Sequence, residues 1–281
     1  MIGATLLALV LAIPATQDTT LRLPQEGVVS IEAGNRGVVL RVVDGEDVTI
    51  RNAPVRVRGN EIRVESEWPL DTRVSGPAIL VSVPARAEVR LESMSGPLEA
   101  TQVPRRLRVE TISGPITTRG GHGSIDIETV SAPIHVRGFQ GTRLQIETMS
   151  GAVTIDGATG SVQVSSVNQA IMFRNVRSES VHAESLNGRI DWYGQIDPRA
   201  RHRFESHNGT VTFHLPDQSD IRFRVNSFLG KFQSSIPVST RTMGDDFDDE
   251  QEVIATLGKG TAEVRVETFN GNVVVRRLGE S

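Results

Sequence analysis

The chain has 281 residues, no cysteine, and a formal net charge of -4, with 30 Lys plus Arg against 34 Asp plus Glu. This balance gives no electrostatic basis for nucleic-acid binding, and the lack of cysteine excludes disulfides, thiolate metal sites and cysteine nucleophiles. Aromatic residues make up only 4% of the chain while Val, Ile and Thr recur throughout, a composition that favours thin, sheet-walled interiors.

The chain opens with an apolar run, residues 2–15, that ends in small residues before the polar segment 17–20. Its length is that of the hydrophobic part of a signal peptide and falls short of the about 20 apolar residues of a membrane-spanning helix. The run therefore predicts a signal peptide over residues 1–16 and an exported protein, located in the periplasm, at the cell surface or outside the cell. No basic segment precedes the run, which leaves an apolar strand or a short anchor as alternatives.

Residues 17–88 contain several short stretches in which apolar and polar residues alternate, separated by turn signals such as Asp44-Gly45 and Gly59-Asn60. Such alternation predicts short strands. Since the regular repeats begin after this region, we interpret it as an N-terminal cap with irregular first rungs. A separate small β domain is the alternative.

Residues 89–281 repeat one seven-residue word nine times, of the form Glu-Thr-x-Ser/Asn-Gly-x-Ile/Val. Intervals between copies are 18 to 21 residues, apart from a last interval of 41. That long interval predicts one rung without the word, and it contains the acidic loop 244–252. The fifth position of the word is occupied by Gly96, Gly114, Ala132, Gly151, Gln169, Gly188, Gly209, Gly230 and Gly271.

A period of this length is too short for a propeller blade and fits one turn of a solenoid. Each repeat has the pattern strand, turn, strand, and no helical periodicity of useful length is present. The sequence therefore predicts an all-β, single-domain parallel β-solenoid of about ten rungs of 18–21 residues. In this fold every strand pairs with its copy one period away.

Stacking the copies turns each position of the word into a column. Alternation from Val109 directs Thr111 and Ser113 inward and Glu110 and Ile112 outward. A contiguous exposed apolar column marks an interface, so the Ile112 column is a candidate partner-binding ridge. The alternative is that the glycine turn directs these side chains inward, as a bulge does. The predicted ridge comprises Met94, Ile112, Val130, Met149, Val167, Leu186, Phe228 and Phe269, with His207 at the same position.

A second outward column contains Glu92, Glu110, Glu128, Glu147, Glu184, Glu205 and Glu267. Neighbouring carboxylates repel by roughly 1 kcal/mol in water, so cationic side chains are expected to form ion pairs with them. They are expected from residues two positions earlier: Arg90, Arg108, His182, Arg203, Arg224 and Arg265. A solvated, partly paired stripe is the prediction.

No motif for catalysis, cofactor binding or metal binding is present. The six histidines form no HExxH pair, and nucleophile-elbow and phosphate-loop patterns are missing. The acidic loop has oxygen ligands but lacks the spacing of a calcium loop, so we predict a solvated loop. The sequence thus predicts a protein that is not an enzyme and needs no cofactor.

The word at residues 110–116, 147–153, 184–190 and 267–273, together with the closing segment 260–273, resembles the bacterial putative-adhesin family of β-strand-repeat proteins. That family is one of unknown function. The resemblance covers about residues 28–278 and implies an exported or envelope-associated, right-handed solenoid with no established activity. Because no catalytic residues are established for that family, the resemblance assigns none to this chain.

The leading functional hypothesis is a non-enzymatic exported scaffold or adhesin-like protein of the cell envelope or surface. It would bind an envelope or surface partner, protein or glycan, along one stacked face, and self-association is included. One alternative is a carbohydrate-active β-helix enzyme. The other is an envelope-stress sensing or signalling module.

Overall fold

The computed structural model describes residues 11–13, 18–65, 76–243 and 251–280. These residues form 28 β-strands and no helix, which confirms the all-β prediction. The chain divides into two compact units, residues 1–126 and residues 127–281. In the described part of the chain, no helix has the length and apolar character needed to cross a membrane.

Unit 1 contains β1 (Leu11–Ile13), β2 (Thr19–Arg22), β3 (Val28–Gly34), β4 (Val38–Val43), β5 (Asp47–Arg51), β6 (Val55–Arg58), β7 (Glu61–Glu65), β8 (Ile79–Pro84), β9 (Glu88–Ser93), β10 (Leu98–Thr101), β11 (Arg106–Thr111) and β12 (Ile116–Arg119). The division between the units falls within β13 (Ser124–Thr129).

Unit 1 has parallel rungs and an antiparallel end. Strands β9 and β11 pair in parallel, as do β10 and β12. Strand β3 lies between β9 and β7, and β4 lies between β10 and β8. Beyond them, β6 pairs antiparallel with β7, and β5 antiparallel with β8. These antiparallel strands end the parallel stack.

Unit 2 contains β14 (Ile134–Arg137), β15 (Arg143–Thr148), β16 (Val153–Asp156), β17 (Ser161–Ser166), β18 (Ile171–Arg174), β19 (Ser180–Ser185), β20 (Ile190–Tyr193), β21 (Arg201–Ser206), β22 (Val211–Leu215), β23 (Ile221–Ser227), β24 (Phe232–Ser234), β25 (Ser239–Met243), β26 (Gln251–Leu257), β27 (Ala262–Thr268) and β28 (Val273–Arg277).

The first strands of the unit 2 rungs lie in one sheet in the order β15, β17, β19, β21, β27, β23, β26, β25. The second strands lie in another, in the order β14, β16, β18, β20, β22, β28, β24. We call these the first and second sheets. The stacked parallel strands within each unit confirm the predicted solenoid class.

The order of the last rungs differs from the prediction. The C-terminal copy, β27 and β28, pairs in parallel with β21 and β22 on one side and with β23 and β24 on the other. It is therefore inserted between two earlier rungs. The expectation of one rung without the word was wrong: β25 and β26 form an antiparallel pair on β23. Likewise, strict pairing with the copy one period away fails at β3 and β4, where the next rung of the stack is β9 and β10.

The core of unit 2 is built from the inward side chains of both sheets. In β17, for example, Val162, Val164 and Ser166 are buried and the residues between them are not. Five buried rings, Phe173, Trp192, Phe204, Phe213 and Phe223, form a chain of contacts with centroid separations of 5.0 to 6.2 Å. This aromatic core fixes the position of the rungs that carry the candidate site.

Several predictions about the ends of the chain and the regularity of the stack remain untested. The predicted signal peptide, residues 1–16, lies outside the described residues except for Leu11–Ile13, which pair antiparallel with β6. The acidic loop 244–252 lies outside them except for its last two residues, which begin β26. The boundaries of the cap at 17 and 88, the number of rungs and the handedness also stay predictions.

Candidate functional site

Each repeat turns at the Thr or Ser that ends its first strand. In unit 2 the hydroxyl oxygens of Thr148, Ser185 and Ser206 each accept a hydrogen bond from the backbone N–H three residues later, at 2.8 to 2.9 Å. These hydroxyl side chains are buried. Because strand alternation continues as far as this buried hydroxyl, the next side chain points outward. The hydroxyl then holds the turn and ends the alternation.

The same turn corrects one prediction in unit 1. The Thr111 hydroxyl is buried and accepts the Gly114 N–H at 3.4 Å. Ser113, which strict alternation directs inward, is exposed. The reason is that the extended strand ends at Thr111, so alternation cannot be continued through the turn.

The predicted ridge residues follow this hydroxyl and lie on the surface. In unit 1, Met94 is 41% and Ile112 49% exposed. In unit 2, Val167 is half-buried and His207 exposed. The outward alternative is therefore the one observed, while binding by the ridge stays a prediction. The remaining unit 2 members are 42 to 55% exposed: Val130, Met149, Leu186, Phe228 and Phe269.

In unit 2 the ridge is one continuous column. For every ridge residue of unit 2 except Val130, its backbone N–H and that of the residue after it donate hydrogen bonds to carbonyl oxygens of the neighbouring rung. Val130, at the end of the column, accepts such a bond from the next rung. The inserted C-terminal rung places Phe269 between His207 and Phe228. The His207 and Phe269 rings stack with centroids 4.8 Å apart, and those of Phe228 and Phe269 stack at 4.9 Å. From one end to the other the column consists of Val130, Met149, Val167, Leu186, His207, Phe269 and Phe228.

An asparagine ladder runs beside the ridge in unit 2. The side-chain amide of Asn187 donates to Asn168 Oδ1 at 3.0 Å, that of Asn208 to Asn187 at 2.8 Å, and that of Asn270 to Asn208 at 2.9 Å. All four residues are exposed. This ladder was not predicted from the sequence, although the Asn at the fourth position of the word was the signal for it.

The glutamate column flanks the other side of the ridge, and three of the six expected cations, Arg108, Arg203 and Arg265, form the predicted pair. Arg265 pairs with Glu267 at 2.7 Å, and Arg203 pairs with both Glu205 and Glu267. His182 contacts Glu205 rather than Glu184. Partial burial by itself raises the pKa of Glu205, but hydrogen bonds from Arg203 and His182 outweigh it, so this pKa lies below its usual value.

Besides His182, two of the expected cations pair with other carboxylates. Arg90 pairs with Glu88 at 2.8 Å instead of Glu92, and Arg224 pairs with Glu263 at 3.4 Å. In unit 2, the Glu184 side chain has no ion pair or hydrogen bond with any other described residue. The column is therefore partly paired, and Glu184 contributes an uncompensated negative charge next to Leu186.

Between the glutamate column and the ridge of unit 2 lies an open groove of about 720 Å³. Leu186, His207, Phe269 and Phe228 form its apolar side, and its polar side includes Glu184, Glu205 and Glu267. A groove with an apolar wall and a charged rim has the composition of an interaction surface.

Fold and site together define a class: an all-β protein of stacked parallel strands that presents an apolar ladder and an amide ladder on its surface. The Toastrack DUF4097 family model matches residues 17–276. The chain belongs to that family. This confirms the resemblance to an uncharacterised bacterial family of β-repeat proteins.

Among solved structures, the chain is similar to a putative cell adhesion protein from Clostridium sporogenes ATCC 15579. The two chains are 10% identical, the similarity covers 93% of this chain and 99% of the other, and the TM-score is 0.23. Comparison with curated proteins gives no match.

Proposed function

We propose that this protein is an exported, non-enzymatic β-solenoid scaffold or adhesin-like protein of the cell envelope or surface. It acts by binding a partner along the ridge of unit 2. The observation that carries this proposal is the continuous surface column of seven side chains, six exposed and Val167 half-buried, that contains no Asp, Glu, Lys or Arg. An exposed apolar surface of this kind is costly in water unless a partner covers it.

The occupant we propose is a second copy of the chain. Its ridge repeats at the same rung spacing of about 4.8 Å, so two ridges can interdigitate without loss of register. Stacked aromatics and asparagine ladders are the features that stabilise such paired stacked-strand surfaces. Because the ridge contains no Asp, Glu, Lys or Arg, like-charge repulsion at the centre of a pair is small.

The test is a double substitution in the ridge, Met149→Arg with Leu186→Arg. Wild-type protein is expected to associate as its concentration rises, and the variant to stay monomeric, since each Arg would be desolvated opposite an apolar side chain. Sedimentation equilibrium from about 1 to about 100 μM, the affinity range of a transient interface, measures this.

The matched control is His135→Arg with Gln233→Arg, which adds the same number of arginines at exposed positions of the second sheet. This control should associate as the wild type does. A wild-type protein that stays monomeric across the range, or a ridge variant that associates normally, refutes ridge pairing between copies.

Export is supported by the apolar run at residues 2–15 and by a family match that begins at residue 17. We expect signal-peptide cleavage near Ala15 or Thr16. Mass spectrometry of the protein from fractionated cells should give a chain starting at residue 16 or 17 outside the cytoplasm. Deleting residues 2–15 should retain the protein inside; an intact N-terminus in the cytoplasmic fraction of unmodified cells would contradict export.

A further inference from the structure

A second row of side chains lies on the outer face of the second sheet of unit 2. The strand register places Arg174, Tyr193, His214 and Arg276 at equivalent positions of β18, β20, β22 and β28. The Tyr193 and His214 rings stack with centroids 4.3 Å apart and planes 5° apart. The Arg174 guanidinium carbon lies 5.7 Å from the centre of the Tyr193 ring. We call these four residues the arginine row.

The arginine row borders a depression of about 530 Å³. Tyr193, His214 and Arg276 line it together with Arg189 and Thr212. Its rim includes Gly279, and a Cβ atom placed there would meet no atom within 4 Å. The depression is therefore open to solvent on that side.

The charges of the depression are unevenly compensated. Arg189 pairs with the buried Asp191 at 2.8 Å. The Glu280 carboxylate accepts hydrogen bonds from the Ser235 hydroxyl at 2.6 Å and the Arg277 backbone N–H at 3.2 Å.

Arg174 and Arg276, in contrast, form no ion pair with any described residue. The two residues lie three rungs apart in register, which separates their Cα atoms by roughly 14 Å. Burial lowers the pKa of His214, so the ring between them is neutral at neutral pH. Neither arginine has a direct ion pair in the described part of the chain, although the charge of Arg276 helps to lower the pKa of the nearby Glu280 carboxyl. Two such cations at the ends of a row of hydrogen-bonding groups favour an anionic, elongated ligand.

We propose that the arginine row binds an acidic polysaccharide. The sugar carboxylates would pair with Arg174 and Arg276, and sugar hydroxyls would bond to the Tyr193 and Thr212 hydroxyls. Guanidinium groups bind carboxylates in a two-pronged geometry that neutral sugars cannot use.

Other polyanions fit the row less well. Single-stranded nucleic acid needs a free aromatic face, whereas Arg174 covers one face of Tyr193 and His214 the other. A peptide cannot add as a strand, because β20 and β22 are paired on both sides. The lining has no long apolar side chain to enter a membrane. A polysaccharide rich in hydroxyl and carboxylate groups matches the arginines and hydroxyl groups of the row.

The test uses polygalacturonate as the probe and neutral dextran as its uncharged counterpart, with binding to the purified chain measured by isothermal titration calorimetry. Polygalacturonate should bind and dextran should not. The double variant Arg174→Gln with Arg276→Gln should weaken binding roughly tenfold or more, since two charge-assisted contacts are lost. Unchanged circular dichroism and melting temperature would show that the variant is folded.

The matched control, Arg143→Gln with Arg201→Gln, removes the same charge at exposed positions of the first sheet and should bind like the wild type. The proposal is overturned if the wild type does not bind polygalacturonate, if dextran binds equally well, or if the control loses as much affinity as the row variant. Equal binding of a single-stranded oligonucleotide would also overturn the choice of polysaccharide. None of these results depends on ridge pairing, which this inference does not use.

Discussion

Gly209→Ala is expected to lower the free energy of unfolding by on the order of 3 kcal/mol, the upper range for overpacking a tightly packed site. A Cβ atom at this position would lie 2.0 Å from the carbonyl oxygen of Gly188 and 2.6 Å from its carbonyl carbon. Both are backbone atoms of the neighbouring rung, which the interstrand hydrogen bonds hold in place. The methyl group therefore forces the rungs apart or distorts the turn. Urea unfolding at neutral pH measures the loss.

The matched control for this substitution is Gln169→Ala. Gln169 occupies the same position of the word, already carries a side chain there and is exposed, so a change of about 0.5 kcal/mol or less is expected. If Gly209→Ala unfolds like the wild type, the neighbouring rungs are not held as closely as the structure places them.

The glycine contacts also explain how far the fold could be predicted. Gly96, Gly114, Gly151, Gly188, Gly209, Gly230 and Gly271 all lie so close to the next rung that a Cβ would come within 1.8 to 2.0 Å of a carbonyl oxygen. A glycine repeated at a fixed period therefore indicates that successive copies of the word are closely stacked. The period and the strand pattern were sufficient to predict stacked parallel strands.

The order of the rungs could not be predicted in the same way. Copies of the word have similar sequences, so their strands offer similar backbone edges for pairing. The sequence of the copy at 267–273 therefore does not indicate which rungs it pairs with. Its insertion beside β21 depends on the antiparallel pair β25 and β26, which occupies the outer edge of β23. That pair lies in the long interval between copies, where the repeat gives no information.

The orientation of the ridge was left open for a related reason. Alternation and a glycine-induced flip predict opposite directions for Met149 or Leu186. The deciding interaction is the buried hydroxyl of Thr148 or Ser185, which accepts the glycine N–H and ends the strand. A hydrogen bond inside a turn is not visible in a pattern of polar and apolar residues.

The arginine row was missed because its four members are of three different residue types. Arg174, Tyr193, His214 and Arg276 occupy the same position of their strands, yet no motif connects them. Only the strand register, with the C-terminal rung next to β22, brings them together. The four residues could have been found from their equivalent positions within the rungs. That comparison, however, requires the order of the rungs to be known.

Acidification is expected to destabilise unit 2 through His202. This residue is 3% exposed, its ring centroid lies 5.1 Å from that of Trp192, and its Nδ1 accepts the Val181 backbone N–H at 3.1 Å. Burial lowers its pKa from 6.5 to about 4. Below pH 6.5 the unfolded chain therefore binds a proton that the folded chain does not, and the stability lost by about pH 4 is on the order of 3 kcal/mol.

The measurement compares wild type with His202→Asn at pH 7 and pH 5. Asparagine Oδ1 can accept the Val181 N–H in place of Nδ1 but does not titrate. Urea unfolding is followed by Trp192 fluorescence in a Trp68→Phe background, since these are the two tryptophans of the chain. The wild type should lose about 2 kcal/mol more than the variant between these pH values.

The difference between the two proteins isolates His202 from other titrating groups. The pKa of His214 is also lowered by burial, so both proteins lose some stability below pH 6.5 from that residue. Glu205 has a lowered pKa and affects stability only at more acidic pH, where its carboxylate is protonated. Equal losses in wild type and His202→Asn would show that the buried imidazole is not what makes unit 2 sensitive to acid.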